Sequence, residues 1–204
     1  MLENISVFHS SIRIPGSKII YFDPYKIDEE YNDADLIFIT HEHYDHYSKE
    51  DIKKVFKDDS TIVAPISMQN KIEFKNVYFV EPNKEYNLKD ISFSTVRAYN
   101  VNKKFHPKEN DWLGYIVNIE GTSYYVAGDT DINEDNSIVK CDIAFLPCGG
   151  TYTMDYKEAA KLANTIKPKI AIPTHYGVVA GSKEDGSKFV ELLDAEIEGI
   201  IKIK

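Results

Sequence analysis

Positive charge is in short supply: Lys and Arg number 24 against 33 Asp and Glu, leaving −9 at pH 7. An acidic surface repels polyanions, so neither nucleic acid nor anionic membrane is expected as a partner. Long apolar runs are missing too. Nothing approaches the roughly 20 residues of a membrane-spanning helix. The opening MLENISVFHSSIRI has neither the basic start nor the apolar stretch of a secretion signal, so a cytoplasmic protein is expected. Cysteines are two, Cys141 and Cys148, flanking CDIAFLPC; seven positions of extended chain hold them beyond disulfide reach, and buried free thiols are expected. There is no GxSxG elbow, P-loop or dinucleotide fingerprint, which leaves serine hydrolysis, nucleotide-driven chemistry and hydride transfer without support. No Pro- or Ser-rich linker or low-complexity segment interrupts the 204 residues, so one domain spanning 1–204 is expected.

What the chain does have is LIFITHEHYDH, from Leu36 to His46. The run Leu36 to Thr40 reads as a buried strand. His41, His43, Asp45 and His46 follow, so three of the six histidines stand together. Imidazole nitrogen and carboxylate oxygen are ligand types that divalent zinc, iron and manganese accept. In an extended turn His41 and His43 point the same way toward one ion, while Asp45 and His46 aim at a second. Two such ions roughly 3.5–4 Å apart can share a bridging water. HEHYDH matches HxHxDH, and with it the chain resembles the metallo-β-lactamase superfamily. It is unlike the zincin motif HExxH, which needs His where Asp45 stands. It also differs from the flavodiiron version of the fold, which usually carries Glu in place of His43.

The remaining chain supplies further strands. Residues 4–22 read as two or three short ones broken at Pro15-Gly16, and KEDIKKVF as a helix with Ile52, Val55 and Phe56 on one face. TIVAP is a strand, and Ser67 to Phe74 is expected to be another helix. VYFVEP and ISFSTVRAYN alternate as strands do. Trp112–Ile119, Ser123–Ala127, CDIAFLPCGG and Ile170–Pro173 are strands as well. Asp155 with Glu158 three positions on fits a helix cap, and that helix runs to about Lys167 before Pro168 stops it. A last helix near Ser187–Leu193 and a strand over Gly199–Lys204 close the chain. Three apolar strands, ending near 40, 127 and 173, deliver His or Asp at their carboxyl ends, where sites form in layered α/β folds.

The resemblance covers nearly the whole chain and is closest to small, lid-less hydrolases of the ascorbate-phosphate lactonase-like and phosphodiesterase-like kind. It implies an α/β fold of four layers, an αββα sandwich of two mixed sheets with helices outside. It implies two divalent ions, zinc first, with Mn2+, Fe2+ or Ni2+ as substitutes. Asp129, in GDTD after a strand, is implied as the bridging ligand and His175 as a ligand of the second ion. The third ligand of the first ion is His106 or the position of Asn100, where some branches carry histidine. Asp23 is implied as a carboxylate holding a ligand histidine's other nitrogen. His9, in the early loop where related hydrolases often carry histidine, is a supporting or substrate-side candidate. Lys103, Lys104 and Lys108 either steer an anionic substrate or are simply solvated.

The chemistry implied is attack by metal-bound hydroxide on a small ester, lactone or phosphodiester, with Asp45 both ligand and proton acceptor. One scaffold hosts many substrates, so the substrate itself is left open. A small molecule is the expected partner, and self-association is compatible with the sequence. Two rival readings are a catalytically silent metal-binding or sensor protein and an iron-dependent redox protein on the same fold.

Overall fold

Period-2 alternation sets the layers of this protein, seen in a computed structural model that describes residues 2–203. The first half supplies β1 (Ser6–Phe8), β2 (Ser11–Ile14), β3 (Ile20–Phe22), β4 (Ala34–Phe38), α1 (Lys49–Val55), β5 (Phe56–Pro65) and β6 (Val77–Val80). The second supplies β7 (Glu85–Leu88), β8 (Ile91–Arg97), β9 (Leu113–Ile119), β10 (Thr122–Val126) and β11 (Ile143–Pro147). It ends with α2 (Tyr156–Ile166), β12 (Ile170–Thr174), α3 (Asp185–Glu191) and β13 (Glu198–Gly199).

One sheet runs β1-β2-β3-β4-β5-β6 and the other β13-β12-β11-β10-β9-β8-β7. Both are mixed in the same way. β1 to β3 and β7 to β10 pair antiparallel, whereas β3 to β6 and β10 to β13 pair parallel. Leu36 and Phe38 point into a core shared with Phe93, Tyr115, Val117 and Phe145 of the opposite sheet. Their neighbours Ile37 and Ile39 point outward, against Ile52 and Val55 of α1. In the second sheet Ile143 and Phe145 face the shared core. Ala144 and Leu146 face α2, through Ala159, Leu162 and Ala163. The order is therefore helix, sheet, sheet, helix, the expected αββα sandwich.

Local chemistry fixes the helix ends. Ser48 accepts the Asp51 N–H at the start of α1. Asp155 and Glu158 form a reciprocal capping box on α2, which stops at Lys167 in the left-handed region, before Pro168. Three expectations need correction. Ser67–Phe74 is not a helix but a single 3-10 turn, Ile66–Met68, followed by loop; Met68 is buried and Ile72 and Phe74 only partly so, too little apolar burial to hold a short helix down. The closing strand is only Glu198–Gly199, and Lys204 lies outside the described residues. Cys141 is half-buried rather than buried, while Cys148 is buried; both are free. β7 was not anticipated, since EYNL is short and buries its residues only in part. Among the described residues no helix is long and apolar enough to cross a membrane.

Candidate metal centre

The strand that carries the HEHYDH loop is tied to the opposite sheet just where the loop begins. Tyr115 of β9 donates its hydroxyl to the Ile39 carbonyl at 2.7 Å, and Leu113 N–H donates to the Thr40 carbonyl at 3.1 Å. Asp23, one residue past β3 with φ 44°, reaches across to the same point. It accepts from Thr40 N at 2.8 Å, from Thr40 Oγ1 at 2.6 Å and from His46 Nδ1 at 2.7 Å.

These bonds decide which way the imidazoles face. The single Thr40 hydroxyl hydrogen goes to Asp23, so Thr40 Oγ1 accepts from His41 Nδ1 at 3.0 Å. His46 donates its Nδ1–H to the Asp23 carboxylate. Both rings thereby commit Nδ1 as a donor and turn Nε2 toward the cluster, as the atom that can take a cation. His106 obtains the same tautomer from Asn100. The Asn100 side-chain oxygen accepts from His106 N and from His106 Nδ1, both at 3.0 Å, and the Asn100 N–H donates to the His106 carbonyl at 2.8 Å. His106 therefore presents its ring to the cluster, and Asn100 stands behind it as its holder.

Asp129 lies at the centre, two residues beyond the alanine that follows β10. Gly128 comes just before it at φ 66°, where a Cβ would meet the Leu113 carbonyl at 3.0 Å and the Thr40 side chain at 3.2 Å. Only glycine lets the turn pass between the two sheets. Asp129 Oδ2 is 3.1 Å from His175 Nε2, 3.2 Å from His106 Nε2 and 4.0 Å from His41 Nε2, and Oδ1 is 3.4 Å from His46 Nε2. His175 follows β12 at φ 54°, its N–H bonded to the His9 carbonyl at 3.0 Å. A Cβ on Gly149 would overlap the His175 carbonyl oxygen, so glycine is needed there as well.

Asp45 Oδ2 sits 3.1 Å from His9 Nε2, 3.6 Å from His175 Nε2 and 3.7 Å from His46 Nε2. His43 Nδ1 is 3.1 Å from His41 Nε2. The ligand atoms fall into three overlapping sets, each within 4.8 Å: His41, His43 and His106; His41, His46 and Asp129; and His9, Asp45, His46 and His175. His9, Asp23 and His175 all hold the left-handed region without being glycine, a conformation that persists only where surrounding contacts enforce it.

Charge in the cluster is uneven. Burial pushes the His41 imidazole well below its ordinary pKa, and burial lowers His43 and His9 as well. His46 moves the other way: burial opposes its charge, but Asp129 and Asp23 outweigh it and hold the ring well above its usual value. His175 is raised to about 9, with Asp129 and Asp45 overcoming burial. Asp129 and Asp45, though buried, are held below the usual carboxylate range, His175 leading in both cases. The two carboxylates thus demand positive charge, supplied as protons on His46 and His175 or as cations.

Divalent ions fit this arrangement. His46 Nε2, His106 Nε2 and Asp129 Oδ1 are buried without a hydrogen-bond partner. Such atoms are costly in a protein interior unless something else satisfies them. The donors are imidazole and carboxylate, the set that zinc and related metals accept. The cluster opens on a cavity of 240 Å³, whose lining includes His43, Asp45, His106, Asp129 and His175. Sequence reasoning missed Thr40, the hydroxyl linking Asp23 to His41. It also missed Trp112, whose ring lies 4.8 Å from His41 and 4.9 Å from His43, and the apolar part of the cavity lining. Thr40 had a signal, being the polar end of an apolar run next to the motif; Trp112 had none.

A family model for the beta-lactamase superfamily domain matches residues 6–175. A UPF0173 metal-dependent hydrolase of Pyrococcus abyssi is 31% identical over 210 residues, covering 95% of this chain and 92% of its own length. A crystal structure from Parabacteroides distasonis, described as a metal-dependent hydrolase, superposes with TM-score 0.84 at 32% identity, covering 98% of this chain and 93% of that one. Igni18, a metallo hydrolase from Ignicoccus hospitalis, shares the fold with TM-score 0.78 at 20% identity, covering 98% and 94%. On a match spanning most of both sheets and relatives of similar length, this chain belongs to the metallo-β-lactamase superfamily, in its branch of small metal-dependent hydrolases.

Proposed function

We propose that this metal-dependent hydrolase works with two divalent ions, zinc first among them, on a small ester, lactone or phosphodiester. His41, His43 and His106 would hold one ion, Asp45, His46 and His175 the other, and Asp129 would serve both. The observation that carries this reading is Asp129, whose carboxylate lies 3.1–4.0 Å from the Nε2 atoms of four buried histidines contributed by three separate loops. Bound ions of this kind polarise a carbonyl or phosphoryl oxygen and supply hydroxide from water at neutral pH.

The chain's own groups do the rest. Asp23, through His46 directly and His41 by way of Thr40, fixes two tautomers so that both rings present lone pairs. Asn100 does the same for His106. Asp45, on the cavity wall, is the group that takes up a proton during attack and returns it to the leaving oxygen. His9 Nε2 orients that carboxylate by donating to Oδ2 at 3.1 Å.

Elemental analysis combined with a turnover screen over esters, lactones and phosphodiesters tests the proposal. Two zinc equivalents with turnover of at least one class are expected. Iron exceeding zinc in anaerobically purified protein, or full metal loading without turnover in any class, would contradict it.

A further inference from the structure

The lining of the active cavity separates the substrate classes. Beyond the cluster residues, its wall consists of Tyr44, Phe105, Tyr152 and Val179. Tyr44 stands between His43 and Asp45, and Phe105 immediately precedes His106, so the loops that deliver the cluster also deliver the wall. Phe105 meets Tyr152 edge to face with ring centroids 4.7 Å apart. The Tyr152 carbonyl in turn accepts from Asn100 Nδ2 at 3.0 Å, tying the wall to the holder of His106. Tyr44 and Phe105 are 64% and 46% exposed, large apolar surface left in water at the mouth of a buried polar cluster.

No Lys or Arg is among the described residues lining this cavity. Two of the nearby lysines are committed elsewhere, and the third, Lys104, is exposed and outside the lining. Lys103 Nζ pairs with Asp131 at 2.5 Å and faces Glu158 at 3.8 Å, and Lys108 pairs with Glu134 at 2.7 Å. Sites that transfer phosphoryl groups usually add Arg or Lys to balance the charge spread over phosphate oxygens. Here the positive charge would come from the ions alone; the protein adds no basic side chain to the lining, and the rest of the wall is aromatic or apolar.

We propose, on the hydrolase reading above, that the substrate is a neutral carboxylic ester or lactone whose apolar acyl part packs on Tyr44, Phe105, Tyr152 and Val179, in preference to a phosphodiester. The size agrees. An apolar cavity of about 150 Å³ accepts benzene, so 240 Å³ holds one ring or a short alkyl chain together with the ester group.

The test uses zinc-loaded protein and four substrates sharing one leaving group: 4-nitrophenyl acetate, butanoate and benzoate, and bis(4-nitrophenyl) phosphate. On lengthening acetate to butanoate, kcat/KM is expected to rise about ten-fold, and, with each value divided by that substrate's own uncatalysed hydrolysis rate, the phosphodiester is expected to fall below butanoate. In Phe105→Ala and in Tyr44→Ala the gain from the longer acyl chain should largely disappear. Faster phosphodiester turnover on that scale, or no dependence on acyl length, overturns the proposal while leaving a metal-dependent hydrolase in place. Absence of turnover in both classes with two zinc equivalents bound overturns the hydrolase reading instead. In that event the wall is still read by binding of acetophenone, a neutral aryl ketone that is not hydrolysed, followed through fluorescence of Trp112, the chain's single tryptophan. Affinity about ten-fold weaker in Phe105→Ala supports the wall, and equal affinity in the two proteins overturns it.

Discussion

Asp23 touches no substrate-facing surface, yet it sets the direction of two imidazoles through contacts of 2.6 and 2.7 Å. Asp23→Asn keeps the shape and removes the charge. Zinc affinity should fall by roughly 10–100-fold, the usual cost of losing the carboxylate behind a ligand histidine. Zinc titration against a competing chelator measures this, and unchanged affinity would remove Asp23 from the site. His175 gives a second prediction. Its pKa is raised to about 9, so below that pH a proton occupies the nitrogen that a cation needs. Proton and cation compete, and affinity should therefore climb between pH 7 and pH 9 by about ten-fold per unit for each displaced proton. Chelator competition at several pH values reads this, and a flat profile over that range would contradict it. At this scale the HEHYDH cluster was legible in the sequence, because candidate ligand chemistry is written in residue type, whereas Asp129 in GDTD reads as a turn by itself and stood out only through the family resemblance. The choice between Asn100 and His106 was not, because it depends on a loop that folds Asn100 Oδ1 back onto His106 Nδ1. His9 was legible only as a candidate; its bond to Asp45 spans 36 positions of sequence.

Elements place these side chains, and the decisive contacts join strands of different sheets. Tyr115 of β9 is fully buried and donates to the Ile39 carbonyl, two residues ahead of His41. Tyr115→Phe keeps the ring packing with Phe38 and removes only the hydroxyl. The Ile39 carbonyl then loses its buried donor, at a cost of about 1–2 kcal/mol, which lowers the Tm by roughly 2–4 °C per kcal/mol in a chain of this size. Thermal denaturation followed by circular dichroism reads the change, and an unaltered Tm would mean the bond contributes nothing to stability. Strands and capped helices were readable ahead of the fold. Alternation in ISFSTVR and the Asp155/Glu158 box each carry a local rule. Segments without such a rule were misread. Ser67–Phe74 has helix-compatible composition but fully buries only Met68 within that stretch, and Gly199–Lys204 continues β-like residues past the point where pairing with β12 ends.

Across the whole molecule, each sheet begins with antiparallel strands and finishes with parallel ones, and the candidate ligand loops follow the parallel strands β4 and β12, the junction strand β10 and the antiparallel strand β8. Their convergence lets residues as far apart as His9 and His175 meet with ring centroids 4.1 Å apart. The layer order was legible because apolar strands and amphipathic helices follow one another in each half. The cavity wall was not, since Tyr44, Phe105, Tyr152 and Val179 share no spacing and meet only after folding. The central claim is that this site holds two cations in separate but touching ligand sets. Native mass spectrometry of zinc-loaded protein, wild type beside His43→Ala, tests it most directly. Two bound zinc ions in the wild type and one in the variant are expected; a single ion in the wild type, or two retained in the variant, would contradict it.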